Sequence, residues 1–200
     1  MREILTDIFM WSWFSEPHGY NFNGFFIRHP AGNLCIDPAE PGEQTLNELA
    51  RQGVARILLT NRNHVRAANQ VRRVTQAPTV IHPADATYAR SQGAELNDAL
   101  QVGEKVGPLV TVGVPGKSPG ELAFYWPERK ILFIGDAVIG HPPGRLGLLR
   151  ESVMDDPLRL RESVRRLLDL DLDVLLVGDG EPVLQDAKAR LIDLVHTFPR

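Results

Sequence analysis

Leu58-Leu59-Thr60-Asn61-Arg62-Asn63-His64-Val65-Arg66 joins an apolar run over residues 55–60 to a segment of helical period over residues 65–74. An apolar strand that ends in a polar cluster and passes directly into a helix is how α/β sheets present functional groups. The same arrangement recurs three times downstream. Val114-Pro115-Gly116-Lys117-Ser118-Pro119-Gly120, Leu132-Phe133-Ile134-Gly135-Asp136-Ala137 and Leu175-Leu176-Val177-Gly178-Asp179-Gly180 each follow or close an apolar strand. Each has glycine beside the polar residue, where the backbone can turn sharply or approach a ligand closely.

Working outward, residues 3–14, 20–28 and 34–36 read as strands separated by turn clusters, an antiparallel opening. Helical periods at 44–52, 65–74 and 84–92 then alternate with strands at 55–60 and 78–82, which favours parallel pairing with crossover helices. Strands follow at 109–114, 121–126 and 130–134, the last two joined as a hairpin. A helix at 157–170, a strand at 173–177 and a closing helix at 182–196 complete the chain. No repeat, linker or low-complexity tract interrupts residues 1–200, so one α/β domain is expected.

The 200 residues are 43% hydrophobic and 24% charged, average for a globular domain, with a net charge of −3. Basic residues lie along the whole chain. Arg62, Arg66, Arg72 and Arg73, like Arg159, Arg161, Arg165 and Arg166, read as solvated helix faces, and a nucleic-acid partner is not expected. The lone Cys35 lies in an apolar strand, excludes a disulfide framework and reads as inert. With no leader-like pattern and no apolar run of membrane-spanning length, a cytoplasmic location without membrane association is expected.

The four strand-end clusters resemble the metallo-β-lactamase superfamily. Its pattern runs Thr-His-x-His-x-Asp-His, Pro-Gly-His-Thr-Pro-Gly, Gly-Asp-Ala and Gly-His-Gly, in that order, and Cys35-Ile36-Asp37-Pro38 is similar to the family's entry strand. The resemblance implies a four-layered αβ/βα sandwich of two mixed sheets. It also implies that Asn61, Asn63, Val65, Arg66, Lys117 and Asp179 stand where the family carries metal ligands, with Asp136 as the retained bridging aspartate. Valine offers no donor, asparagine oxygen is a poor zinc ligand, and arginine does not deprotonate to become one. The expectation is therefore no metal cofactor, and no catalytic residue is assigned. A single rebuilt ion site using His18 or His141 with Asp136 and Asp179 is the minor alternative.

Two cations, Arg66 and Lys117, would then balance Asp136 and Asp179 in the family's cleft, with Asn61 and Asn63 bridging. Three functions compete. The first is a non-zinc pseudo-hydrolase binding a small polar or anionic ligand beside an aromatic wall of Trp11, Trp13 and Phe14. The second is a hydrolase of altered chemistry, and the third a structural or oligomerisation role with the cleft closed by salt bridges. His64, at a spacer position of the motif, is expected to be structural or on the surface. The non-functional reading of Asp136 is a tie on the Gly135 turn, and that of Asp179 is a turn former or a helix cap ahead of Pro182.

Overall fold

Residues 3–14 form two strands rather than one. β1 (Arg2–Leu5) and β2 (Ile8–Ser15) pair as an antiparallel hairpin, because Asp7 turns the chain with φ 61°. The computed structural model describes residues 1–199 and divides into two units, Met1–Gln101 and Val102–Arg200.

The first unit holds a seven-stranded mixed sheet whose strand order follows the sequence. β1, β2, β3 (Tyr20–Ile27) and β4 (Leu34–Ile36) are antiparallel neighbours, and β4, β5 (Arg56–Leu58), β6 (Thr79–Ile81) and β7 (Asp98–Ala99) are parallel ones. The parallel half needs crossovers. These are α1 (Glu43–Gln52), α2 (Ala68–Thr75) and α3 (Pro83–Ser91). Leu49, Val71 and Ala89 from these helices pack with Trp11, Phe26, Ile57, Leu59 and Ile81 in one core.

The second unit holds a five-stranded mixed sheet in the order β12-β11-β10-β9-β8. β8 (Lys105–Val106), β9 (Leu109–Gly113), β10 (Leu122–Trp126) and β11 (Ile131–Ile134) are antiparallel, and β12 (Val174–Val177) joins β11 in parallel. α4 (Pro157–Arg166) and α5 (Ala187–His196) supply Leu160, Val164, Leu191 and Leu194 to the core. They meet Leu132, Ile134, Leu175 and Val177, the alternate residues that one face of a pleated strand presents.

Two mixed sheets, each with its own helices, agree with the expected fold class. Two helix starts differ from the sequence reading. α2 begins at Ala68 because residues 61–67 are held in turns, with Ala67 N–H on the Pro38 carbonyl at 3.1 Å. α5 begins at Ala187 because Val183 is drawn into a two-bond bridge with Leu175 and Asp186 then turns at φ 56°. Among the described residues no helix is long and apolar enough to cross a membrane.

Candidate functional site

In the first unit the polar residues gather where β4 and β5 end side by side. Parallel pairing of Ile36 with Leu58 places Asp37 next to Thr60. The Asp37 carboxylate accepts the Thr60 backbone N–H at 2.8 Å and the Thr60 hydroxyl at 2.6 Å. His64 Nδ1 lies 2.8 Å from Asp37 Oδ2, and Arg66 Nη2 lies 2.9 Å from His64 Nε2. A guanidinium only donates, so Nε2 accepts, and the proton of the neutral ring sits on Nδ1, donated to Asp37. The Arg66 guanidinium also stacks 4.1 Å above the Phe22 ring. Asp37 and Arg66 both carry positive φ, 45° and 21°, a conformation that needs surrounding structure to hold it.

His64 is thus a buried member of a polar network and not a surface residue; its hydrogen-bonded partner lies 27 positions back in the chain. Asn61 is fully buried and accepts the Asn63 backbone N–H at 2.8 Å, a local turn bond, while Asn63 itself is exposed. Neither Arg62 nor Arg66 lies on a helix face. Arg62 donates its backbone N–H to the buried Asp85 at 2.9 Å and stacks over Tyr88 at 4.6 Å, which ties this segment to α3. Of the three residues proposed as an aromatic wall, Trp11 is core and donates its indole N–H to the Ala39 carbonyl at 3.0 Å. Trp13 and Phe14 are exposed. Cys35 is fully buried, and burial, reinforced by the Asp37 charge, pushes its thiol well above the usual range; it is no nucleophile.

The second unit assembles its carboxylates by register. β11 and β12 run parallel with Ile134 opposite Val177. Two residues beyond those partners come Asp136 and Asp179, so strands about 4.8 Å apart bring the two carboxyl groups together. Each offers an oxygen within 4.8 Å of the other, and both residues are buried. Gly140 and Gly180 form the bridge behind them, where a Cβ on either would run into the backbone across the bridge. Asp179 caps no helix, since the residue that precedes α5 is Asp186.

Lys117 reaches this pair from the loop after β9. Its Nζ lies 2.7 Å from Asp136 Oδ2, and the two side chains are only 7% and 6% exposed. α4 fixes that loop. Asp156 N–H donates to the Gly116 carbonyl at 2.7 Å, Asp155 N–H to the Lys117 carbonyl at 3.3 Å, and the Ser163 hydroxyl to the Pro115 carbonyl at 2.8 Å. The sequence reading overlooked Glu121, which is buried and accepts the Asp136 backbone N–H at 3.0 Å through Oε1. A carboxylate opening a strand gave no signal in the sequence; only its place opposite the Asp136 turn discloses it.

The profile described as the metallo-beta-lactamase superfamily matches residues 3–198. The chain belongs to this superfamily. A hydroxyacylglutathione hydrolase of Cereibacter sphaeroides is 32% identical over 175 residues, which are 83% of this chain and 65% of that protein. One from Fuscovulum blasticum is 31% identical over 134 residues, 62% of this chain and 51% of that protein. The superfamily member in hand therefore spans less than two thirds of the length of these curated relatives. Among solved structures, TTHA1623 in a di-iron-bound form is 26% identical with a TM-score of 0.69, covering 90% of this chain and 98% of that one. A metallo-beta-lactamase from Pontibacter korlensis has a TM-score of 0.80 at 18% identity, covering 98% of both chains, a likeness of fold.

The di-iron-bound relative overturns the expectation that no metal belongs with this chain. That expectation came from counting zinc donors at the motif positions. It undervalued the carboxylates, which suit hard or borderline divalent ions, and which the register of β11 and β12 places together. The donor set has a limit. Asn63 is exposed, Asn61 is used in its own turn, and Asp136 carries the Lys117 ammonium. A single ion on Asp136 and Asp179 fits the donor chemistry of the second unit; a tightly held pair of ions does not.

Proposed function

We propose that this chain is an attenuated hydrolase of the superfamily, binding a small polar or anionic acyl compound and turning it over slowly. The observation that carries the reading is the buried Lys117–Asp136 ion pair. In it, a superfamily aspartate is committed to a side-chain ammonium. The names of the curated relatives point to thioesters of glutathione as the substrate class. The profile match over residues 3–198 supports treating residues 1–200 as one family domain, and a cytoplasmic setting is part of the same reading.

Asp136 and Asp179 are the residues that would hold a metal ion, which when bound polarises a carbonyl oxygen or lowers the pKa of a water molecule. The chain's own groups do the rest. Lys117 neutralises Asp136 and stands as a hydrogen-bond donor toward an anionic oxygen of the ligand. Glu121 holds the backbone at Asp136, and the Gly140–Gly180 bridge holds that at Asp179, so the carboxylates keep their spacing.

The test is hydrolysis of a hydroxyacylglutathione thioester by the full chain, with and without added Mn2+ or Zn2+, beside calorimetric binding of the thioester and its acid product. Measurable binding with kcat/KM below the ordinary enzymatic range of about 10^4–10^8 M−1 s−1 is expected. A value inside that range refutes the attenuation. Absence of binding to both compounds refutes the ligand reading and leaves a structural role.

A further inference from the structure

Lys117 does more than neutralise a charge if Asp136 and Asp179 are the metal-holding residues, and the following rests on that reading. We propose that the Lys117 ammonium is a built-in competitor for a divalent cation at Asp136 and Asp179, and that it sets the metal affinity of the chain low. Three observations on the second unit converge on this. The Nζ–Oδ2 distance of 2.7 Å is that of a direct charge-assisted hydrogen bond, so the ammonium occupies a coordination direction of Asp136. Both partners are buried, where charges are weakly screened and an ammonium beside a divalent ion is strongly repelled. The loop bearing Lys117 is tied to α4 through Pro115, Gly116 and Lys117, so the ammonium is delivered to Asp136 by a fixed backbone.

An ion entering this site must therefore displace the ammonium or coexist with it, and either lowers its affinity. Removing the ammonium has the opposite effect. It frees the Asp136 carboxylate of the ammonium, which favours capture of a divalent ion of suitable donor preference. Manganese is the probe that fits two carboxylates, and its aqueous spin-resonance signal disappears on binding. The site is then a metal site under the control of a resident lysine, and its occupancy follows the free concentration of the ion.

The experiment titrates Mn2+ into the wild-type chain, Lys117→Met, Lys117→Gln and Lys117→Arg, reading the loss of the free-ion signal and the thermal midpoint. Lys117→Met and Lys117→Gln are expected to bind about tenfold or more tightly than wild type. Each should start from a lower midpoint and gain more from Mn2+, because a ligand stabilises in proportion to its occupancy. Lys117→Arg keeps the cation and is expected to show no gain. Asp136→Asn, alone or with Lys117→Met, is expected to lose the response. Equal affinity of wild type and Lys117→Met, no Mn2+ binding by either neutral variant, or tighter binding by Lys117→Arg overturns the proposal. These readouts do not depend on turnover, so a failed thioester assay with a tenfold gain in Lys117→Met refutes the hydrolase reading alone.

Discussion

Asp37→Asn isolates the polar network of the first unit with almost no change in volume. The Asp37 carboxylate takes two bonds from Thr60, at 2.8 and 2.6 Å, and lies 2.8 Å from His64 Nδ1. Asparagine tolerates the positive φ of 45° at this position as well as aspartate does, so backbone strain does not enter. With the amide oxygen toward the Thr60 N–H, the NH2 group faces the Thr60 hydroxyl and the His64 Nδ1 proton. The hydroxyl rotates and accepts. His64 accepts only by moving its proton to Nε2, and there it meets an Arg66 donor 2.9 Å away. Flipping the amide only moves the conflict to the Thr60 N–H. One buried bond to a charged group is lost in either orientation, about 2–3 kcal/mol. For a chain of this size that is about 4–12 °C in the thermal midpoint. Chemical denaturation measures the loss, and nitrogen NMR of the His64 ring reports the proton, expected on Nδ1 in the wild type. A loss below about 0.5 kcal/mol, within the range of an ordinary surface change, refutes the reasoning. So does a wild-type ring protonated on Nε2.

Gly180→Ala adds a Cβ at φ 88° that runs into the Gly140 backbone. It is expected to cost more than about 2 kcal/mol in denaturant and to weaken Mn2+ binding, because Asp179 moves with the bridge. Asp156→Ala removes the side-chain acceptor that caps α4 at Arg159 N–H, 3.0 Å, and is expected to lower stability by about 1 kcal/mol in the same measurement. Cys35 is expected to resist thiol reagents in the native chain and to react at the rate of unfolding in denaturant, since burial holds the thiol protonated. Fast native labelling of Cys35 would contradict its place in β4.

The four strand-end clusters were legible because each couples an apolar strand to polar residues, three of them with glycine alongside, a local pattern. The pairing of Lys117 with a carboxylate was legible as well, from charge balance among the motif positions, and the structure brings Lys117 onto Asp136. Partners distant in sequence were not legible. His64 looks like a spacer within its own segment, and only the parallel register of β4 and β5 shows that Asp37 receives it. Glu121 looks like the first residue of a strand until the Asp136 turn is set opposite it. The start of α5 was misplaced because the apolar spacing through Leu184 continues the helical period, while the Val183–Leu175 bridge overrides it. β7 and β8, two residues each, are too short to leave a period. The metal expectation failed for a related reason: donors were weighed one by one, although adjacent parallel strands determine which of them act together.

The anchoring of the Lys117 loop on α4 also governs how fast the second unit responds. The carbonyls of Pro115, Gly116 and Lys117 are each bonded to the α4 region, so releasing Asp136 asks nothing of the main chain. The ammonium has only to rotate about the bonds of its own side chain, motions of picoseconds to nanoseconds when unhindered and slower when buried. Uptake and loss of an ion should then be complete within the mixing time of a stopped-flow instrument. No lag and no slow isomerisation should separate arrival of the ion from the bound state. Chelators should strip the chain as quickly as metal loads it, so a purified sample reports its last buffer and keeps no memory of the medium in which the protein was made.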